Sequence, residues 1–520
     1  MTESQSYQQV HKLGVDSGVV LVGNVLDKLF GFAFAVGIAK LYGLKVFGLF
    51  VLGFTLVRLF SVVINLGFGK GLIRFVSLYA DRGDEARLKG IIWSALGLSV
   101  PLALLVGVIL FVAADPIVRH MFGNRQRLTL VLRSLAVALP WLALTGIWLR
   151  SLVGLKRFKP QIYVNSVIEP AVRVGVALVL FLAGYRLDGL IIAYLVAVAA
   201  SAMVAYRYFF RAFHHRFKGV RPILQFRELL SFSWPLLLRN LVSRASRRAD
   251  ILLLGAFRGP AEITLYTFAL RLASLNTLIT SAFQKAYTPH IAPLHAEARF
   301  DELRRGFQTV TRWMMLLTVP AFAMLVFFPR AVIPVLGEQF EPAARAVSIV
   351  TLAVFFSYAV GPSETAIIMS GRSKTSLAIR VVGGVVALGL NIWLVPSHGM
   401  MGAALAFAGS VVLANALAAG IAYRDMKLHP LHTSYVKVLI AGAIATGIGA
   451  LSQAFLPSQK YVMLISLGLI MASTYGASLF LMGVDREDRY AVQRLRARLG
   501  RVLGRGRFSP VADAEIRGGR

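Results

Sequence analysis

The sequence predicts an all-α, polytopic membrane protein with about fourteen transmembrane helices. Three observations predict this fold: apolar blocks of spanning length, alternation of basic and less basic loops, and an internal duplication. Of the 520 residues, 57% are hydrophobic, and the mean hydropathy is +0.69. Because about 20 apolar residues in a helix cross a hydrocarbon core roughly 30 Å thick, blocks of that length indicate spanning helices.

The apolar blocks are separated by short loops, and only the tail after Met482 is long enough to form a separate element outside the membrane. The first block lacks the pattern of a removed signal peptide, so we expect it to be retained as a helix. The predicted spans are 16–41, 47–68, 89–113, 129–151, 161–184, 187–209, 229–256, 262–289, 308–329, 344–369, 375–396, 400–423, 434–456 and 460–483.

Positive charge alternates from loop to loop along the chain. Every second loop is rich in Lys and Arg: those within 70–89, 156–159, 207–227, 299–305, 372–374 and 424–427. By the positive-inside rule the richer side is cytoplasmic, so both termini are expected in the cytoplasm. The net charge of +32 is therefore read as a topology and lipid-contact signal. Nucleic-acid binding is not expected, because no soluble domain is available to carry it.

The first spanning half is repeated in the second half in the same direction. At an offset of 216 residues the paired positions include Asn24 with Asn240, Lys28 with Arg244, and Gly43 with Gly259. Since each copy holds six spans, we expect two six-helix lobes related by a parallel pseudo-two-fold axis along the membrane normal. The predicted domains are an N-terminal lobe (1–210), a linker at the membrane surface (211–228), a C-terminal lobe (229–425), a helix pair (426–483) and a basic cytoplasmic tail (484–520).

Four basic residues fall well inside predicted spans 1, 2, 7 and 8. A cation at the centre of a spanning helix costs about 2.5–3.5 kcal/mol on insertion scales, so exposure to lipid is disfavoured. A water-filled cavity between the lobes removes this cost, and an ion pair with a nearby acid is the alternative. For Arg58 and Arg271 no acid lies within one turn of the same helix, which favours the cavity. The candidate residues for binding an anionic head group are Lys28, Arg58, Arg244 and Arg271.

Acidic residues inside the predicted spans are fewer. Glu169 precedes Arg173 by four residues, which predicts an ion pair within one helix. Glu364 follows Gly361-Pro362, where a broken helix would expose it, so it is the candidate for a proton or sodium site. The chain has no cysteine, which excludes thiolate metal sites. We expect no catalytic residues, no metal site and no cofactor other than an ion gradient.

Five segments of the sequence stand out: Gly-Leu-Lys-Val-Phe-Gly-Leu-Phe (43–50), Asn-Leu-Gly-Phe-Gly (65–69), Ala-Asp-Arg-Gly-Asp (80–84), Ala-Asp-Ile-Leu-Leu-Leu-Gly (249–255) and His-Gly-Met-Met-Gly-Ala-Ala-Leu-Ala (398–406). In their order and spacing they resemble segments of polysaccharide and O-antigen flippases of the multidrug/oligosaccharidyl-lipid/polysaccharide exporter (MOP) superfamily. The resemblance covers roughly 15–425. It implies that the protein moves a polyprenyl-pyrophosphate-linked oligosaccharide from the inner to the outer leaflet of a bacterial cytoplasmic membrane. It also implies membrane lipids, a polysaccharide polymerase and glycosyltransferases as partners.

Other functions stay open at this stage. Two extra spans are shared with lipid II flippases, so a lipid II-type substrate is one alternative. A drug or cation exporter of the same superfamily is another, although its cavity would need embedded acids, whereas the embedded charge here is mainly basic. An enzyme such as a membrane glycosyltransferase or sugar polymerase is the alternative of a different class. Such an enzyme needs acidic catalytic residues in a sizeable outward loop, and the outward loops of this sequence are short.

Overall fold

The structure is a computed structural model that describes residues 31–123, 125–246, 248–457 and 459–483. Within these ranges every regular element is a helix, which confirms the predicted all-α class. The described residues divide into two compact units, with the boundary between Pro430 and Leu431. The predicted basic tail and Lys28 lie outside the described residues.

The first unit contains eighteen described α-helices. Its N-terminal half consists of α1 (Gly31–Tyr42), α2 (Leu44–Ile64), α3 (Phe68–Asp81), α4 (Glu85–Phe122), α5 (Gln126–Ala136), α6 (Ala138–Gly154), α7 (Lys159–Ile162), α8 (Glu169–Leu182) and α9 (Leu187–Phe217). Its C-terminal half consists of α10 (Phe226–Ser246), α11 (Ala249–Phe257), α12 (Pro260–Leu275), α13 (Thr277–Ala296), α14 (Phe300–Phe327), α15 (Pro329–Leu336), α16 (Ala344–Ala359), α17 (Ser363–Met369) and α18 (Ser373–Met426).

The second unit is a pair of helices, α19 (Thr433–Ser452) and α20 (Lys460–Leu481), that pack against one another. They coincide closely with the last two predicted spans. Ten helical segments among the described residues are long and apolar enough to cross a membrane. The polytopic class is therefore confirmed, whereas the count of about fourteen spans and the symmetry of the lobes stay predictions.

Two predicted spans show local departures from one regular helix. Predicted span 8 is divided into α12, which ends at Leu275, and α13, which begins at Thr277, although Asn276 between them keeps right-handed helical dihedral angles. Conversely, α18 is 54 residues long, far more than a bilayer requires. It turns back at Gly399, whose φ of 56° and ψ of −131° suit a residue without a side chain. The two arms of α18 match predicted spans 11 and 12.

The predicted linker 211–228 is partly helical. Helix α9 continues to Phe217 and α10 begins at Phe226, so residues 218–225 of the linker lie outside helices. This segment is tied to α4: the amide of Ile223 donates to the carbonyl of Ala86 at 3.0 Å. The amide of Gln225 donates to Ser94 Oγ at 2.8 Å. These contacts hold the start of α10 beside the N-terminal half.

Candidate functional site

The two halves meet where α2 packs against α12. A Cβ on Gly48 would lie 1.8 Å from the carbonyl oxygen of Pro260, so the two backbones approach directly at this point. At a rise of 1.5 Å per residue, Arg58 lies about 21 Å along α2 and Arg271 about 16 Å along α12. The fold therefore brings two of the predicted basic residues to similar depth on adjoining helices of opposite halves.

Arg58 lies on α2. Of the spanning helices among the described residues, α2 is the most buried, since 72% of its apolar stretch of 18 residues is buried. The side chain of Arg58 is nevertheless 36% exposed. Helices of both halves pack against α2. The guanidinium lies 5.1 Å from the centre of the Phe54 ring, and Nη2 lies 3.5 Å from Glu169 Oε1. An acid therefore contacts Arg58 from α8, a helix distant in sequence, whereas its own helix offers none within one turn.

Glu169 also contacts Arg173, which confirms the predicted pair within one helix. Arg173 Nη1 lies 3.7 Å from Glu169 Oε1, and its guanidinium lies 4.6 Å from the centre of the Phe34 ring. Two arginines therefore share one carboxylate oxygen. We call Arg58, Glu169 and Arg173 the arginine–glutamate cluster, and it carries one net positive charge.

The remaining predicted basic residues have different surroundings. Arg271 is partly buried, and its Nη1 donates to the carbonyl oxygen of Gly31 in α1. Arg244 is exposed near the end of α10. Lys28 lies outside the described residues, so its predicted pairing with Arg244 across the repeat stays a prediction. Of the four, Arg58 and Arg271 thus lie on α2 and α12, the helices at which the halves meet, and Arg271 contacts the other half through Gly31.

Glu364 lies at the break predicted from Gly361-Pro362, because α16 ends at Ala359 and α17 begins at Ser363. Its Oε1 lies 2.6 Å from Arg380 Nε and accepts a hydrogen bond from Ser376 Oγ at 2.8 Å. The carboxylate is therefore ion-paired. Its candidate role in ion coupling is not tested by this geometry and stays a prediction.

Two further polar groups were missed as site candidates from the sequence. Asp250 in α11 is buried and accepts a hydrogen bond from the hydroxyl of Tyr266 in α12 at 2.7 Å. Arg150 in α6 is exposed, and its Nε lies 3.7 Å from the position of a Cβ on Gly69 in α3. It lies near the end of predicted span 4, where basic residues are expected in any case, so no sequence signal marked it.

One end of the first unit is joined across the halves by hydrogen bonds. Thr264 Oγ1 donates to the carbonyl of Leu44 at 2.7 Å. Arg125 donates to the carbonyls of Gly255 and Arg258, at 2.9 and 2.5 Å. These contacts surround the turns at Gly43 and Gly259, so this end is closed between the two halves.

A different contact joins the halves near the C-terminal end of α3. The hydroxyl of Tyr79 donates to Glu228 Oε2 in α10 at 2.6 Å. Burial, together with this carboxylate, raises the pKa of Tyr79 to about 12, so the hydroxyl stays protonated and able to donate at neutral pH. The neighbouring Phe75 and Phe232 rings pack edge to face at 5.5 Å.

Metal chemistry has no support in the part of the chain that the structure describes. Those residues contain no group of three or more His, Cys, Asp or Glu side chains placed to hold a metal ion. The site instead consists of guanidinium groups, a few paired carboxyls and aromatic rings. Such an arrangement can bind an anion by charge-assisted hydrogen bonds.

Comparison with known proteins places the chain in a family. The family model described as "Polysaccharide biosynthesis protein" matches residues 13–295, and the MatE model matches residues 235–393. Stage V sporulation protein B of Bacillus subtilis (strain 168) is 22% identical over 463 residues, covering 83% of this chain and 88% of that protein. A putative O-antigen transporter of Shigella flexneri is 21% identical, covering 76% of this chain and 95% of that protein.

Solved structures share the fold at low sequence identity. The lipid II flippase MurJ in an inward closed conformation superposes with a TM-score of 0.70 at 14% identity, covering 89% of this chain and 98% of that one. An inward-facing multidrug resistance MATE family transporter of the MOP superfamily gives a TM-score of 0.61, also at 14% identity, covering 79% and 94%. The expected resemblance is confirmed, and the protein is a multi-pass membrane transporter, not an enzyme. The chain belongs to the polysaccharide biosynthesis protein family of the MOP superfamily.

Proposed function

We propose that the protein is a flippase that moves a polyprenyl-pyrophosphate-linked oligosaccharide from the inner to the outer leaflet of the cytoplasmic membrane. The observation that carries this proposal is the position of Arg58 and Arg271 at similar depth where the two halves meet. Arg173 adds a third guanidinium beside Arg58 through their shared carboxylate. The interior of the bundle therefore offers excess positive charge at the depth a translocated head group must pass.

Guanidinium chemistry suits a pyrophosphate. The planar fork of arginine donates two parallel hydrogen bonds to phosphate oxygens, and its charge is kept at every physiological pH. Arg58 is held against the ring of Phe54, and its side chain remains 36% exposed. The polyprenyl tail would stay in lipid while the head group and sugars cross between the halves.

Alternating access gives the transport step a structural basis. The hydrogen bonds from Arg125 and Thr264 close the end of the bundle at Gly43 and Gly259. With the basic loops in the cytoplasm, this closed end faces outward, and both termini are cytoplasmic. Export would then require these bonds across the halves to break as the interior opens to the outer side.

A lipid II-type substrate is the runner-up, because it has the same pyrophosphate and polyprenyl chemistry. A drug or cation exporter is disfavoured by the sign of the interior charge. Glu169 and Glu364 are each ion-paired with arginine, and Asp250 accepts a hydrogen bond from Tyr266. Carboxyls that are already engaged in this way attract a cationic drug poorly.

The proposal is tested with purified protein in proteoliposomes that contain a fluorescent polyprenyl-pyrophosphate oligosaccharide. Arrival of the glycan in the outer leaflet is measured by its cleavage with a glycosidase that does not cross the membrane. We expect protein-dependent transfer of the oligosaccharide and none of a lipophilic organic cation. Transfer of the cation alone would contradict the proposal, and transfer of lipid II alone would establish the runner-up.

A further inference from the structure

The arginine–glutamate cluster is held together loosely. Both contacts to Glu169 Oε1, at 3.5 Å from Arg58 and 3.7 Å from Arg173, are longer than a charge-assisted hydrogen bond of about 2.7–2.9 Å. Pair distances vary among the described residues: Asp115 lies 2.8 Å from Arg133, whereas Glu85 lies 3.5 Å from Arg216. One carboxylate oxygen is therefore divided between two guanidiniums at long distances, so an anion with more acceptor oxygens can replace it.

The positions of the two guanidiniums do not depend on the carboxylate alone. Arg58 packs on the ring of Phe54 and Arg173 on the ring of Phe34, at 5.1 and 4.6 Å from the ring centres. Within the described residues, the buried Nε of Arg173 has no hydrogen-bond partner. Both cations are therefore oriented by aromatic faces, and Glu169 could withdraw without the site collapsing.

The backbone around Glu169 is also irregular. Residues Tyr163–Ile168 form a π-helical segment directly before Glu169-Pro170. Pro170 has no N–H to donate to the preceding turn, which favours a wider turn at this place. Segments of this kind within a helix frequently occur at functional sites. Glu169 therefore lies at a junction where its side chain can be redirected by a small local change.

We propose that Glu169 is an internal counter-anion, which occupies Arg58 and Arg173 in the empty transporter and is displaced by phosphate oxygens of the bound substrate. This inference rests on the proposed function and adds a role for Glu169 that the basic residues alone do not give. A phosphate group offers more acceptor oxygens than one carboxylate, so it can engage both guanidiniums at normal distances. When the substrate leaves, Glu169 returns, which neutralises the arginines and assists release.

If Glu169 competes with the substrate for the arginines, it lowers the affinity for phosphate and raises the rate of substrate release. Removing the charge of Glu169 removes the competing anion, so a phosphate probe should bind more tightly. Since two like charges a few ångströms apart repel strongly in a protein interior, we expect about a 10-fold lower Kd in Glu169→Gln. The same variant should transport more slowly, because release has lost the returning carboxylate.

The experiment measures binding of inorganic pyrophosphate to full-length protein in phosphatidylcholine nanodiscs by titration calorimetry. Wild type, Glu169→Gln, Arg58→Ala and the control Asp115→Asn are compared. Asp115 also pairs with an arginine of the N-terminal half but lies outside the cluster. We expect tighter binding in Glu169→Gln, weaker binding in Arg58→Ala, and the wild-type Kd in Asp115→Asn.

A wild-type or higher Kd in Glu169→Gln, with Arg58→Ala still weakened, overturns the counter-anion role and leaves the proposed function standing. Failure of wild type to bind pyrophosphate, with no effect of Arg58→Ala, overturns both. If Glu169→Gln does not fold, Glu169→Asp provides the test, because it keeps the charge but draws it back from both arginines. A lower Kd in that variant supports the inference, and an unchanged or higher Kd overturns it.

Discussion

The two halves of the chain repeat one another in sequence but hold their interior charges differently. In the N-terminal half, two arginines share one glutamate at 3.5 and 3.7 Å, which leaves a net positive charge. In the C-terminal half, Glu364 has its own arginine at 2.6 Å, and Asp250 receives a hydrogen bond from Tyr266. The N-terminal half therefore divides one carboxylate between two arginines, whereas these two carboxyls of the C-terminal half each have a partner of their own.

This difference suggests a division of labour within the proposed flippase. The loosely paired cations of the N-terminal half suit an anionic head group, and Arg271 adds to them from α12 at the junction. Glu364 of the C-terminal half stays the candidate for the uptake and release of a proton or sodium ion.

The largest effect is expected from Glu364→Gln. If this carboxyl couples transport to an ion gradient, the variant should insert normally and lose all dependence of export on an imposed proton or sodium gradient. The measurement is outer-leaflet glycan in proteoliposomes with and without the gradient. Wild-type gradient dependence in this variant would show that the pair with Arg380 is structural.

The next effect concerns the closed end of the bundle. Arg125→Ala removes two hydrogen bonds between the halves and should favour opening at that end. A single cysteine at position 264, where the wild-type threonine is 1% exposed, reports this opening in a chain that has no other cysteine. We expect labelling by a membrane-impermeant thiol reagent to be about 10-fold faster than in the Thr264→Cys background.

The matched control for this labelling is Arg133→Ala, which removes an arginine that pairs within the N-terminal half. Its labelling rate should equal that of the Thr264→Cys background. Equal rates in all three proteins would mean that Arg125 does not hold the halves together.

The smallest effect compares two buried tyrosines. Tyr42 donates to the carbonyl of Ala177, whereas Tyr266 donates to the carboxyl of Asp250. Replacement of either tyrosine by Phe removes one hydrogen-bond donor. In Tyr266→Phe the group that loses its hydrogen bond is the buried carboxyl of Asp250, whereas in Tyr42→Phe it is a backbone carbonyl. We expect the free energy of unfolding to fall by about 1 kcal/mol for Tyr42→Phe and by about 2–3 kcal/mol for Tyr266→Phe. Thermal denaturation in detergent checks the order, and a larger loss in Tyr42→Phe would contradict it.

The features that could be predicted from sequence are those that a single helix determines. The length of the apolar blocks predicted a polytopic membrane protein. The proline at 362 predicted the break in the helix before Glu364. The pair of Glu169 with Arg173 follows from the helical repeat, which places residues four apart on one face. These contacts depend on local geometry, so no tertiary information is needed.

The features that could not be predicted depend on how helices are rotated against one another. Arg58 and Glu169 are separated by 111 residues, and Tyr266 meets Asp250 only because α11 and α12 pack at a particular angle. The sequence offers many arginines and several acids, and pairing them requires the packing. Arg58 has no acid within one turn of its own helix, yet it contacts Glu169 from another helix. The sequence of one helix was therefore not enough to decide whether this arginine has an acid partner.

The most direct test of the central claim is transport of lipid-linked oligosaccharide by Arg58→Ala and Arg271→Ala in proteoliposomes, alongside matched lysine replacements. Loss of charge-assisted hydrogen bonds to the pyrophosphate should lower transport at least about 10-fold in each alanine variant, with normal insertion. Lysine should restore part of the activity, because a point charge cannot reproduce a bidentate guanidinium contact. Wild-type rates in both alanine variants would contradict the claim that a basic interior carries the substrate.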